Sequence, residues 1–64
     1  MEIKKGDRII LSRLNCEDEE YYSDYLKEEG TVISNPEGRF PCVWVKFDNF
    51  QGREYLFIEN LDII

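Results

Sequence analysis

Sixty-four residues hold one domain, spanning 1–64, and no more; a chain this short buries only about 60% of the surface its unfolded form exposes, enough for a core but not for an enclosed catalytic pocket. Hydrophobic residues make up 42% and aromatics 14%, too apolar for a disordered segment, and no apolar run approaches the roughly 18 residues of a membrane-spanning helix. The net charge of −6 argues against a phosphate-binding surface, which needs a basic face.

In chain order, Met1-Glu2-Ile3-Lys4-Lys5-Gly6 lacks the apolar stretch of a signal peptide, so a cytoplasmic location is expected. Gly6-Asp7 then opens a first strand, Arg8 to Ser12, with Ile9 and Leu11 on one face at period two. Residues 13–29 show no clear periodicity. Tyr21, Tyr22, Tyr25 and Leu26 fall at helix spacing behind an acidic turn, with Asn15 available as an N-cap. A long loop whose tyrosines fold back onto the domain fits equally well, and a loop containing about one helical turn is favoured. Between Cys16 and Glu29 lie seven acidic residues opposed only by Lys27, so this segment carries the whole net charge and the rest of the chain is neutral.

Gly30 to Ser34 reads as a second strand, ended by the turn Asn35-Pro36-Glu37-Gly38. Phe40 to Asp48 is the strongest strand pattern, with Val43, Val45 and Phe47 alternating with Cys42, Trp44 and Lys46. Pro41 confines its start to an edge or bulge. After the turn at Asp48 to Gly52, Arg53 to Ile58 alternates again, with Leu56 and Ile58 opposite Tyr55 and Phe57. A tight turn at Glu59-Asn60-Leu61 leads to a closing strand, Leu61 to Ile64. Five short strands separated by turn signals predict an all-β barrel, the economical way to limit exposed edges with so few strands. The expected core is Ile9, Leu11, Val32, Val43, Val45, Phe47, Leu56 and Leu61.

Gly6-Asp7-Arg8-Ile9, Gly30-Thr31-Val32, Val43-x-Val45-x-Phe47-Asp48 and Asn60-Leu61-x-Ile63-Ile64 stand in the order found in SH3-like barrels. The chain resembles those of electron-transport accessory proteins: photosystem I reaction-centre subunit IV, the variable chain of ferredoxin–thioredoxin reductase and the β subunit of nitrile hydratase. It is also similar to short bacterial and phage proteins of uncharacterised role. The resemblance implies a five-stranded SH3-like barrel, to which this chain's own residues add a long acidic first loop with room for one helical turn. The acidic segment 16–29 matches no part of that pattern.

Catalysis is not expected. The chain has no histidine, the commonest general base, and neither Cys16 nor Cys42 has an evident activating partner. Its four glycines are dispersed as turn residues rather than gathered in a phosphate loop. Two cysteines cannot complete a structural zinc site alone, and Glu17-Asp18-Glu19-Glu20 lacks the ligand alternation of a calcium loop. No cofactor and no metal are expected. The two cysteines are expected as thiols rather than a disulfide, in keeping with the expected compartment.

The expected function is therefore a small non-catalytic protein-interaction module, bacterial or phage-encoded. Its partner-binding residues are the outward-facing Trp44, Tyr55 and Phe57, with Cys42 on the same face, and the loop residues Tyr21, Tyr22, Tyr25, Glu17, Asp18, Glu19 and Glu20. Trp and Tyr are enriched at binding hot spots. An equally weighted alternative is that the loop tyrosines cover Trp44 as a second small core, since large exposed aromatic patches are rare on monomers. Two other functions remain open: a nucleic-acid-mimicking inhibitor of a DNA- or RNA-handling enzyme, acting through the acidic segment, and an accessory subunit of a redox or metalloenzyme complex, implied only by the resemblance. Direct nucleic-acid binding and membrane association are not expected.

Overall fold

The alternation of Val43, Val45 and Phe47 governs the architecture, because these inward side chains must be covered by strands on both sides. The computed structural model, which describes residues 3–15, 19–39 and 41–64, has five strands: β1 (Arg8–Leu11), β2 (Glu29–Val32), β3 (Cys42–Phe47), β4 (Glu54–Phe57) and β5 (Leu61–Ile63). A four-residue helix, α1 (Glu19–Tyr22), and a 3₁₀ turn (Ser23–Tyr25) lie between β1 and β2, and a second 3₁₀ turn (Ile58–Asn60) lies between β4 and β5. Among the described residues between β1 and β2 the chain thus includes one short helix, while Glu29, read from sequence as part of that segment, opens β2. No helix among the described residues is long and apolar enough to cross a membrane.

The strands form one antiparallel sheet in the order β4-β3-β2-β1-β5. The two edge strands are consecutive in the chain and joined by only three residues. A flat five-stranded ribbon would hold its edges roughly 19 Å apart, whereas a short 3₁₀ turn advances only about 2 Å per residue. The sheet therefore curls into a half-barrel. Its two edges are stapled by that turn: Ile58 N–H donates to Pro41 O (2.8 Å) beside β3, and Ser12 N–H donates to Asn60 O (3.0 Å) beside β1.

Gly30 marks a close approach of β2 to β3. It is buried, opposite Ile9 on one side and Phe47 on the other. A Cβ there would lie 2.8 Å from Lys46 O and 3.0 Å from Val45 Cγ1, so only hydrogen fits where β2 and β3 approach this closely. The strand expected to run to Ser34 stops at Val32. The Ser34 hydroxyl accepts the Trp44 N–H (2.9 Å) in place of a ladder carbonyl.

All eight expected core residues are buried, and Ile3 joins them from ahead of β1. Leu14, Tyr22, Tyr25, Phe50, Ile58 and Ile63 pack partly buried around this cluster. One expectation differs. Cys42 shares the outward parity of Trp44, yet it is buried and outside the core cluster. It lines a cavity with Ser34, Asn35 and Glu37, so the β2–β3 connection shelters it from solvent.

Candidate functional site

Period-two alternation on β3 sends Trp44 away from the core, and the antiparallel register sets Tyr55 of β4 directly opposite it. The two rings meet at 4.9 Å between centroids with a 43° tilt. On the other flank, Ile33 continues the β2 register by one residue and donates its N–H to Trp44 O (2.9 Å). Cys42 and Phe57 form the next pair along β3 and β4. Ile33, Tyr55 and Phe57 are exposed at 37%, 41% and 37%, so the outer face of three adjacent strands presents a connected apolar surface around a half-buried Trp44.

Arg53 belongs to the same face. Its guanidinium carbon sits 4.6 Å from the Trp44 ring centroid, within cation–π range. Neither Ile33 nor Arg53 is among the residues expected from sequence. Arg53 was accessible to the same rule that finds Tyr55 and Phe57, because residues 53, 55 and 57 share a face at period two. Ile33 was not, because its place beside Trp44 depends on the β2–β3 register.

In comparison with known proteins, the chain matches no family model, no curated protein and no solved structure. The surface must therefore be understood from its own residues.

The loop residues divide. Glu17 and Asp18, with Cys16, lie outside the described residues. Glu19 and Glu20 are exposed in the first turn of α1, and Tyr21 is exposed beside them. Tyr22 and Tyr25 instead turn to the core. The Tyr25 ring lies 4.9 Å from Phe47 and 4.5 Å from Phe50. Phe47 has the inward parity on β3 and Trp44 the outward one, so Tyr25 covers the core side. Among the described residues, Trp44 makes its aromatic contact with Tyr55 and with no tyrosine of the loop.

The acidic segment is not a single patch either. Arg8 donates to both carboxylate oxygens of Asp48 (2.8 and 2.5 Å) and to Thr31 Oγ1 (2.9 Å), and lies 3.8 Å from Glu29. These bonds hold the Asp48 carboxyl below the usual carboxylate range and raise the Arg8 guanidinium. Glu28 accepts from Asn49 Nδ2 (3.1 Å). Glu28 and Glu29 thus serve the join between β2 and the turn after β3.

Tyr25 carries a pH prediction. Its hydroxyl donates to Glu54 Oε1 (3.0 Å), and this bond, followed by burial, raises its pKa. A raised pKa in the folded state contributes stability that is complete below the unfolded value, about 10, and is lost as pH rises through the folded value. The urea midpoint of the wild type should therefore fall as pH rises above about 10, and Tyr25→Phe should flatten part of that fall. An identical decline in both proteins would show that this phenol does not sense alkali.

Proposed function

We propose that the chain is a non-catalytic, SH3-like interaction module that binds a protein partner through the outer face of β2, β3 and β4. The observation that carries this is the cross-strand row Ile33–Trp44–Tyr55, with Phe57 beside it, on the face opposite the packed core. The SH3-like reading is supported by the strand order β4-β3-β2-β1-β5 and by the 3₁₀ turn that joins the two edges. Large aromatic side chains beside an arginine are the residue types that dominate binding hot spots. Trp44 is held by Tyr55 and Arg53, so it reaches a partner with little rotamer entropy left to lose.

The test is affinity capture from the source cells with mass-spectrometric identification, repeated with Trp44→Ala, Tyr55→Ala and Phe57→Ala. The expected result is one dominant partner whose affinity drops about 30-fold in Trp44→Ala. Tyr55→Ala and Phe57→Ala should also weaken it while the thermal midpoint shifts by only a few degrees. Capture that survives all three substitutions removes the aromatic face as the docking surface. Capture that survives them but is abolished by Glu19→Lys with Glu20→Lys, and by moderate salt, transfers the function to charge mimicry.

A further inference from the structure

The cavity beside Trp44 adds a chemical preference to this surface. It measures about 120 Å³ and is lined by Ser34, Asn35, Glu37, Cys42, Trp44 and Tyr55. That is room for more than one water molecule and for a planar group of four heavy atoms such as a guanidinium. Two of its lining residues, Trp44 and Tyr55, have rings braced against each other. Two of its polar side chains are engaged. The Ser34 hydroxyl accepts from Trp44 N–H (2.9 Å), and Asn35 Oδ1 accepts from Lys5 N–H (2.9 Å). The Glu37 carboxylate is exposed and has no partner among the described residues.

A cavity lined by a glutamate without a partner among the described residues and by two aromatic residues suits a cation. The apolar walls exclude water on one side, which strengthens the charge attraction. A planar guanidinium suits the site better than an ammonium, because it stacks on rings and forks onto a carboxylate. The Trp44 ring already accepts one guanidinium, that of Arg53. Arg53 is not among the lining residues, so the cavity itself stays open to a second. The net charge of −6 favours approach of a basic segment.

We infer that this cavity takes an arginine side chain of the protein partner, with its guanidinium against Trp44 and Tyr55 and paired to Glu37. The inference rests on the outer face being the docking surface. It is tested by ¹H–¹⁵N NMR titration with the blocked pentapeptide Gly-Gly-Arg-Gly-Gly and its lysine, norleucine and glutamate counterparts. The arginine peptide should shift the Trp44 indole and the 34–37 amides saturably, with Kd on the order of millimolar for so small a ligand. Glu37→Gln should weaken it roughly five- to tenfold, and lysine should bind more weakly than arginine. Glu59→Gln, which removes an equal charge at a residue that does not line the cavity, should leave binding unchanged.

The inference is overturned if the cavity resonances do not move. It also fails if norleucine, glutamate or lysine matches arginine, or if Glu37→Gln binds as the wild type does. An equal loss in Glu59→Gln assigns the effect to net charge and overturns it as well. Failure here, with partner capture still lost in Trp44→Ala, leaves the docking surface standing without its arginine site. Survival of capture in that variant removes both.

Discussion

Phe47→Ala is expected to cost about 3–5 kcal/mol, the range for truncating a buried phenylalanine. Phe47 is fully buried near the end of β3, opposite Gly30, with the rings of Tyr25 at 4.9 Å and Phe50 at 6.4 Å. Its removal opens a void where β2 has no side chain with which to fill it. The aromatic lid of Tyr25 and Phe50 loses its floor at the same time. Domains of this kind have only about 5–15 kcal/mol in total, and small ones lie at the low end. The variant should therefore be largely unfolded at 37 °C, seen as loss of the cooperative transition in thermal and urea denaturation by circular dichroism. Phe57→Ala is the control. Phe57 is partly exposed on the outer face, so its truncation should cost clearly less than that of Phe47, about 1 kcal/mol. Comparable losses in the two variants would mean that the inner and outer faces of the sheet are wrongly assigned.

Gly30→Ala is expected to destabilise by about 1–2 kcal/mol, although alanine is ordinarily the better residue in a strand. Exchanging glycine for alanine gains about 0.5–1 kcal/mol by reducing the freedom of the unfolded chain. Against this, the added methyl would meet Lys46 O at 2.8 Å and Val45 Cγ1 at 3.0 Å. The first of these is backbone held in the β2–β3 ladder and cannot swing aside. Overpacking a dense interior typically costs about 1–3 kcal/mol, and more when backbone must move. The clash should win. A urea midpoint equal to or above that of the wild type would show that Lys46 and Val45 give way to the added methyl without cost.

Much of the fold was legible because its signals are local. Val43, Val45 and Phe47 alternate over three residue pairs, and Asn35-Pro36-Glu37-Gly38 marks a turn whatever surrounds it. The short helix at 19–22 was foreshadowed by tyrosines at helix spacing behind acidic residues. Too few turns follow for local energetics alone to hold a helix. Strand ends were less legible. That β2 stops at Val32 depends on a serine hydroxyl replacing a carbonyl across the sheet, which no local pattern encodes.

The candidate surface was half visible. Trp44, Tyr55 and Phe57 follow from alternation, and Arg53 lay within reach of the same rule. The loop tyrosines were not separable by sequence. Tyr21, Tyr22 and Tyr25 are chemically alike, yet Tyr21 is exposed while Tyr25 packs on Phe47 and bonds Glu54. Which of them reaches the core depends on where the segment lands on the sheet.

The sequence by itself determined the number of strands, the turns between them and which residues of each strand face inward, because side-chain alternation and turn chemistry operate over a few bonds. Tertiary structure alone decided that the edge strands meet across a three-residue turn and that Gly30 sits where no methyl fits. It also decided that Cys42 is sheltered while its neighbour in parity, Trp44, joins an open row with Ile33 and Tyr55. Those outcomes depend on register and curl, which are set by contacts between residues far apart in the chain, and no window of sequence contains both partners.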